Sequence, residues 1–450
     1  MKGITPAVVA RVCRGKFVGD GAVLGREIAF VTRDSREAGR ACLFAAIPGE
    51  RTDGHDFLDA AFEAGALCAV CQRDPGKTRL PYILVENTQA ALGKLAAYYR
   101  AMFHIPVIGI TGSVGKTSAK EMIAAVLSQR LNTLKTPGNY NNELGVPLTL
   151  FSLNETHEAA VVEMGISDFG EMERLTEMVR PTIALITAVG YAHLERLGDR
   201  DGVLRAKSAI IGEMAENDLL IVNGDDDKLA AFASRTRKMT YGCGGGCDLR
   251  AENIRALGLD GMECKICCEN RNIFAKINAF GDHLIYAALA GAAVGICLGL
   301  SDEAIAKGIS SYVPVGRRSR AVNTGYCVVI DDCYNANPNS VRSALRSLRL
   351  LSGRSVCILG DMLELGKDSA ELHERTGRFA AEQADLVITC GEMARHIYDA
   401  AEGGTEAIHF LGKSELIHAL PGLIHRGDNV LVKASRGMRF EDISEALMEL

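Results

Sequence analysis

Short apolar runs alternate with amphipathic helical stretches along most of this chain, and few folds accommodate that alternation. In the middle of the sequence the runs are VIGIT (107–111), AAVVEM (159–164), IALITAV (183–189) and LLIVNGDD (219–226). Strands that alternate with helices form a parallel sheet covered by those helices. The sequence therefore predicts an α/β fold.

The chain has 450 residues, and single hydrophobic cores stop growing at roughly 250–300 residues. We expect three domains. The first is an N-terminal α/β domain (1–103), and the second is a central P-loop ATPase-like parallel sheet with a small antiparallel insert (104–313). The third is a C-terminal Rossmann-like domain (314–450). The segments 104–106 and 313–316 are candidate hinges, the first because a residue before proline avoids the helical region.

Composition and charge exclude several classes of partner. The net charge of −6 gives no basic field for nucleic acid, and no window carries the ~20 apolar residues of a membrane span. The N-terminus lacks the apolar core of a signal peptide, so we expect a cytoplasmic protein. Scattered cysteines inside apolar runs fit reduced thiols. A zinc site remains an alternative for one dense group: Cys243, Cys247, Cys264, Cys267 and Cys268.

The segment ITGSVGKTS (110–118) follows an apolar run and precedes a helical stretch. A Walker A loop has glycine where this chain has Ile110, so the loop is shorter than that pattern. Glycines allow a tight turn, and the amides at the helix start can face an anion. A plain strand-to-helix turn is the alternative. We predict ATP-phosphate binding by Gly112, Ser113, Val114, Gly115, Lys116, Thr117 and Ser118.

The shortened loop TGSVGKTS resembles that of the Mur ligase family, and the similarity continues in TPGNYNNELGVPLTL (136–150), VVEMGISDFGEME (161–173) and DDCYNANPNS (331–340). The resemblance implies an ATP-dependent, amide-forming enzyme that extends the peptide of the cell-wall precursor. The blocks DDCYNANPNS, LGDMLELG (359–366) and VKASRGM (432–438) imply joining of D-alanyl-D-alanine to UDP-N-acetylmuramoyl-tripeptide through an acyl phosphate. They also imply UDP-sugar binding by domain 1–103 and dipeptide binding by domain 314–450.

The resemblance further implies ligands for ATP-bound Mg²⁺, with two ions in the family's scheme. Thr117 and Glu163 correspond to ligands of the first ion, and His193 to a ligand of the second. Lys207 corresponds to a lysine that this family carbamoylates, which would convert an ammonium without a lone pair into an oxygen ligand. Without the resemblance, a surface acid, a structural histidine and a solvated lysine are the ordinary interpretations.

The remaining site residues also come from the resemblance. Arg317 corresponds to a hinge arginine that approaches the γ-phosphate, with Arg318 and Arg320 as alternatives, and the predicted catalytic set is Lys116, His193, Lys207 and Arg317. Asp331 or Asp332 would bind the ribose, with Tyr334 and Asn335 nearby. The predicted substrate-binding residues are Ser35, Arg36, Asn139, Asn141, Asn142, Lys433, Ser435 and Arg436.

The sequence departs from the family pattern where amides near adenine are expected. Leu284, Ala287 and Ala188 stand at positions where the family usually has asparagine, and their side chains cannot supply amide hydrogen bonds. Two other functions therefore stay open: another ligase of the family, and a nucleotide-binding protein without catalysis. We expect a monomer.

Overall fold

The computed structural model describes residues 1–49, 52–76 and 78–450. Across these residues the chain forms three β-sheets, of five, nine and six strands. Helices cover the sheets, and the apolar strands are buried between them. The expected three-part α/β architecture is therefore present.

The first sheet has the strand order β1-β5-β4-β3-β2, and its pairs are parallel except β1 with β5. Helix α3 begins where the Asn87 side chain accepts a hydrogen bond from the Ala90 amide, which satisfies one free N–H of the first turn. The elements are β1 (Lys16–Val18), β2 (Val31–Thr32), β3 (Leu43–Ala45), β4 (Cys68–Cys71), β5 (Tyr82–Leu84), α1 (Pro6–Cys13), α2 (Leu58–Glu63) and α3 (Thr88–Arg100).

The second sheet has the order β14-β13-β12-β11-β10-β9-β6-β8-β7. Its strands are β6 (Val107–Thr111), β7 (Thr133–Lys135), β8 (Ala159–Glu163), β9 (Ile183–Ile186), β10 (Leu219–Asn223), β11 (Arg237–Gly242), β12 (Leu249–Ala256), β13 (Met262–Cys268) and β14 (Arg271–Ile277). Its helices are α4 (Lys116–Leu127), α5 (Gly145–Phe151), α6 (Glu171–Val179), α7 (Leu194–Leu197), α8 (Arg200–Ser208), α9 (Asp227–Ala231), α10 (Leu284–Cys297) and α11 (Asp302–Ser310). Strands β12 to β14 pair antiparallel and extend this sheet at one edge.

The third sheet has the order β15-β16-β20-β17-β18-β19, with only the β15–β16 pair antiparallel among its described strands. The elements are β15 (Arg320–Asn323), β16 (Val328–Asp331), β17 (Ser355–Gly360), β18 (Leu386–Cys390), β19 (Glu406–Phe410), β20 (Asn429–Lys433), α12 (Pro338–Arg349), α13 (Ser369–Gln383), α14 (Arg395–Ala401), α15 (Lys413–Leu423) and α16 (Glu441–Met448). None of the helices in the described part of the chain has the length and apolar character needed to cross a membrane.

The register of the second sheet places polar side chains together at one edge. Strand β6 pairs with β8 and β9, so that Ile110 lies opposite Glu163 and Thr111 lies opposite Ile186. Because all three strands run parallel, their carboxyl ends meet, and ligands of open α/β sheets bind at such edges. Any site of this sheet is therefore expected beside residues 111–118.

Candidate active site

A cleft of about 820 Å³ opens at the carboxyl edge of the second sheet and is closed on its other side by residues of the third sheet's domain. One wall comes from the loop and first turn of α4, residues 113–119, and from Glu163. The opposite wall includes Asp332, Tyr334 and Lys433. Two domains thus contribute to one polar cleft.

The loop before α4 depends on its two glycines. Gly112 has φ +148° and Gly115 has φ +80°, and a Cβ at position 112 would lie 1.9 Å from the Thr187 hydroxyl oxygen. The loop is tied to the end of β9, because the Ser113 amide donates to the Ala188 carbonyl at 2.9 Å. The Lys116 ammonium donates to the Gly112 carbonyl at 2.6 Å, across the turn. This is the geometry of a backbone turn that can approach an anion closely.

Two oxygen-bearing side chains meet at the base of the loop. The Thr117 hydroxyl lies 3.2 and 3.0 Å from the two carboxylate oxygens of Glu163, which is 1% exposed. The Asn141 side-chain amide donates to the same carboxylate at 2.8 Å. Mg²⁺ prefers hard oxygen ligands and keeps several waters. The pair Thr117 and Glu163 therefore fits a magnesium ion held jointly with phosphate oxygens.

His193 lines the cleft, and Lys207 lies near enough for its charge to act on the imidazole. His193 has a left-handed backbone (φ 56°), and its Nδ1 lies 2.6 Å from a carboxylate oxygen of Glu364, without hydrogen-bond alignment. Burial, and then the charge of Lys207, lower the pKa of His193. A neutral imidazole is the form that binds metal.

Lys207 is 1% exposed, and no described residue makes a hydrogen bond or an ion pair with its ammonium group. Burial, followed by the charge of Lys116, lowers the pKa of Lys207 far below its ordinary value, while Glu171 acts weakly in the opposite direction. Burial of an unpaired charge is costly, which favours the neutral form of the amine. A neutral buried amine has the free lone pair that carbamoylation by CO₂ requires.

The wall from the third domain is held by Lys433. Its ammonium lies 2.7 Å from the Asp332 carboxylate and 3.0 Å from the Asn335 carbonyl, and the side chain is almost fully buried. The guanidinium of Arg318 lies over the Tyr334 ring, 3.8 Å from its centroid. These contacts present an acid, an aromatic ring and a cation to the cleft.

The structure brings together many of the residues predicted from the sequence. Those that line the cleft are Ser113, Val114, Gly115, Lys116, Thr117, Ser118, Asn141, Asn142, Glu163, His193, Asp332, Tyr334, Asn335 and Lys433. Those that do not line it are Gly112, Asn139, Lys207, Arg317, Asp331, Ser435, Arg436, Ser35 and Arg36.

The three candidate arginines, Arg317, Arg318 and Arg320, occupy different positions relative to the cleft. Arg317 pairs with Asp331 at 2.9 Å and with Glu445 at 2.5 Å and does not line the cleft, whereas Arg318 does. Arg320 begins β15 and does not line it. In this conformation Arg318 lines the same cleft as the phosphate loop, and the assignment of Arg317 stays a prediction.

Some cleft residues were not identified from the sequence. The Tyr286 hydroxyl donates to Asp225 at 3.0 Å, and Asp225 also accepts the amides of Cys243 and Gly244. Asp225 follows strand β10 at the same sheet edge as the loop, and that position was a usable signal. Ala188 and Ala287 line the cleft and Leu284 is buried, so the positions that depart from the family pattern do lie at or beside the cleft.

Comparisons with known proteins identify the family. Three family models match: "Mur ligase family, catalytic domain" over residues 27–100, "Mur ligase middle domain" over 110–295, and "Mur ligase, glutamate ligase domain" over 317–436. A UDP-N-acetylmuramoyl-tripeptide–D-alanyl-D-alanine ligase of Bacillus subtilis is 36% identical over 430 residues, covering 93% of each chain.

This chain belongs to the Mur ligase family.

Further relatives agree with this Mur ligase assignment. The Escherichia coli protein with the same name is 36% identical over 96% of each chain. Among solved structures, "Crystal structure I of MurF from Acinetobacter baumannii" superposes with a TM-score of 0.91, at 32% identity over 99% of each chain. MurF ligase from Thermotoga maritima in complex with ADP has a TM-score of 0.84, at 27% identity over 93% of this chain and 97% of that one.

The cysteines of this Mur ligase are free thiols, and most are buried. In the described ranges, no group of three or more His, Cys, Asp or Glu side chains is arranged to hold a metal ion. The five cysteines between 243 and 268 lie in these ranges. Thr117 and Glu163 supply only one carboxylate between them, so a magnesium site built on this pair would not count as such a group.

Proposed function

We propose that this Mur ligase joins D-alanyl-D-alanine to UDP-N-acetylmuramoyl-tripeptide at the expense of ATP, giving the pentapeptide precursor, ADP and phosphate. The observation that carries the proposal is the two-domain cleft in which a phosphate loop and Glu163 face Asp332 and Lys433. Relatives over nearly the whole chain bear the name of this activity.

The chemistry requires an activated acyl group, since a carboxylate is a poor acyl donor at neutral pH. An oxygen of the tripeptide carboxylate attacks the γ-phosphorus of ATP, the bond to the ADP oxygen breaks, and an acyl phosphate forms. The dipeptide amine then attacks the acyl carbon and loses a proton, and phosphate leaves. The loop amides and Lys116 hold and neutralise the phosphates throughout.

Residues of the loop side would hold two magnesium ions. Thr117 and Glu163 would bind the first, and His193 with a carbamoylated Lys207 would bind the second. Bound Mg²⁺ would offset the negative charge that accumulates on the transferred phosphoryl group. The carbamate would form when the neutral Lys207 nitrogen attacks CO₂ and releases a proton, which leaves an anionic oxygen ligand.

The proposal also assigns residues to the nucleotide, the precursor and the dipeptide. Residues 112–118 bind the phosphates, and Asp331 or Asp332 binds the ribose near Tyr334 and Asn335. An arginine of the hinge, Arg317 or Arg318, approaches the γ-phosphate. The precursor and the dipeptide are assigned to the following side chains: Ser35, Arg36, Asn139, Asn141, Asn142, Lys433, Ser435 and Arg436.

The domain boundaries proposed for this enzyme are 1–103, 104–313 and 314–450, with the precursor's UDP end in the first domain and the dipeptide in the third. The enzyme acts as a monomer in the cytoplasm, where ATP and UDP-linked precursors are available. Gel filtration with light scattering would measure the oligomeric state.

Phosphate release is the direct test of the function. The protein would be incubated with ATP, Mg²⁺ and UDP-N-acetylmuramoyl-tripeptide, with and without D-alanyl-D-alanine. We expect release that depends on the dipeptide and a product heavier by that dipeptide. Release that depends on a single amino acid instead would indicate another ligase of the family, and no release under any condition would contradict an enzymatic role.

Replacement of Lys207 tests the proposed carbamate. We expect Lys207→Ala to abolish phosphate release, because the second magnesium ion loses a ligand, and short carboxylates such as acetate to restore part of the activity. Arg205→Ala, on the same helix with an exposed guanidinium over Phe169, is the control and should retain activity. Full activity of Lys207→Ala would refute this role.

A further inference from the structure

Lys120 is a completely buried cation that none of the assignments above uses. Its side chain is 0% exposed, although lysine is almost never fully buried without a reason. It lies on α4 three residues after Thr117, and positions three apart share one helix face. Lys120 and Thr117 therefore point toward the same neighbour, the end of strand β8.

The Lys120 ammonium makes three kinds of contact at that point. It donates to the carbonyls of Thr136 and Gly138, each at 2.9 Å. It lies 3.0 Å from a carboxylate oxygen of Glu121. It also lies 3.7 Å from the Glu163 oxygen that Thr117 approaches at 3.0 Å.

The contact with Thr136 also links Lys120 to the main chain of Glu163. The Thr136 hydroxyl accepts a hydrogen bond from the Glu163 amide at 3.0 Å, so the residue whose carbonyl binds Lys120 also fixes the Glu163 main chain. The loop held at Gly138 continues to Asn141, which donates to the other Glu163 oxygen. Both the carboxylate and the backbone of Glu163 thus depend on one ammonium group.

We propose that Lys120 is a positioning residue that presets Glu163 and the 136–141 loop for the magnesium ion of ATP. The inference rests on the proposed function. A buried carboxylate that loses its nearby cation keeps an uncompensated charge and would turn away, which would remove a metal ligand. Lys120 supplies that cation from 3.7 Å, beyond hydrogen-bonding distance, so it takes up no lone pair of the Glu163 carboxylate.

Lysine suits this position better than arginine does. Its ammonium is a compact charge with three donors that can point in different directions, whereas a guanidinium is planar and wider. The ammonium at this position meets acceptors in three directions. These acceptors are the carbonyl of Thr136, the carbonyl of Gly138, and the carboxylates of Glu121 and Glu163. Lys120→Arg should therefore fail to restore the parent's behaviour even though it keeps the charge.

The test compares magnesium-dependent nucleotide binding in Lys120→Met and Lys135→Met by calorimetric titration of ADP at several Mg²⁺ concentrations. Lys135 pairs with the same Glu121 at 2.5 Å but is half exposed, and no contact joins it to Glu163. Loss of a group that orients a metal ligand weakens metal affinity by about 10- to 100-fold. We expect that loss in Lys120→Met and a change within about twofold in Lys135→Met.

The outcomes separate the inference from the function on which it rests. If the parent binds ADP without any dependence on Mg²⁺, the proposed function fails. If the parent depends on Mg²⁺ and folded Lys120→Met retains the same dependence, the positioning role is refuted.

A second substitution covers the case in which Lys120→Met does not fold. If Lys120→Met does not fold, Lys120→Gln, which keeps one donor near the Thr136 carbonyl, takes its place in the titration. Failure of both variants to fold would overturn the inference, because Lys120 would then serve the stability of the whole domain rather than Glu163.

Discussion

Individual charges in this enzyme fall into two groups that differ in burial. Many ion pairs are exposed, such as Lys2 with Glu155, whose side chains are 79% and 72% exposed, and pairs of this kind contribute about 0–1 kcal/mol. Lys120, Glu163 and Lys207 are nearly inaccessible to water. Substitution of a buried charged residue has larger effects, because the polar groups that it contacted stay buried without a partner and water cannot replace it.

His373 provides a prediction about pH. Its Nε2 accepts from the Met362 amide at 3.0 Å and its Nδ1 donates to the Ser369 carbonyl at 2.7 Å. The bond that Nε2 accepts requires the neutral ring. Burial lowers the pKa of His373, with Asp361 acting to raise it and His396 to lower it. The folded state therefore binds fewer protons, and stability falls as pH drops below the ordinary value of 6.5.

Thermal unfolding followed between pH 7 and about 5 would measure this loss. His373→Asn should unfold at a lower temperature at pH 7 but with a shallower decline on acidification. His418→Asn, at an exposed position of helix α15, should decline as the parent does. Equal slopes for the parent and His373→Asn would contradict the assignment.

Among the elements, helix α12 connects the stability of the third domain to the cleft. The Asn337 side chain accepts from the Ser340 amide at 2.9 Å, and the Ser340 hydroxyl accepts from the Asn337 amide at 3.0 Å. This reciprocal cap fixes the first turn, which carries Asn339. The Asn339 side-chain oxygen Oδ1 accepts from the Tyr191 amide of the central domain at 3.1 Å.

We expect Asn337→Ala to lower the free energy of unfolding by about 1 kcal/mol, the usual cost of losing such a cap. Urea unfolding followed by circular dichroism would measure the loss. Asn337→Ser keeps a capping oxygen and should lose less than half of that amount. If both variants lost the same free energy, the cap would not be the cause.

The elements also show how far sequence reasoning reaches. The apolar runs predicted strands β6, β8, β9 and β10 because a buried parallel strand needs apolar side chains on both faces. The register that brings Glu163 beside Ile110 depends on pairing between distant segments, which no local pattern encodes. The antiparallel strands β12 to β14 were expected, and only the structure shows that they continue the central sheet.

The same limit applies to the candidate site. Residues of the loop could be selected because glycines, a lysine and a threonine occur together in one segment. Lys120 could not, since a lysine in an amphipathic helix is usually solvated, and its burial follows from the packing of α4 on the 136–138 loop. Which of Arg317 and Arg318 faces the cleft depends on the turn after 316, and the sequence leaves both possible.

At the scale of the whole molecule, several polar contacts join the central and C-terminal domains around the cleft. The Asp282 carboxylate accepts from the hydroxyls of Ser343 and Ser347, each at 3.0 Å. The Glu195 amide donates to the Glu364 carbonyl at 3.3 Å. Contacts of this kind can form and break when domains rotate about a hinge, and we propose that segments 104–106 and 313–316 supply that rotation.

We expect Asp282→Ala to favour an open arrangement. Small-angle scattering with ADP, Mg²⁺ and UDP-N-acetylmuramoyl-tripeptide should show compaction of the parent and less compaction of the variant. Asp260→Ala, an exposed acid of the same domain, should compact as the parent does. Equal compaction of Asp282→Ala and the parent would show that the contacts to α12 do not control closure.

The free thiols also have a practical consequence. Cys243 and Cys297 are exposed, whereas the other cysteines of the chain are buried. Cys243 lies on the loop that wraps Asp225, beside Tyr286 at one end of the cleft. In a Cys297→Ser background, a fluorescent dye attached to Cys243 would report nucleotide occupancy in real time, so the natural sequence already carries an attachment point for an optical sensor.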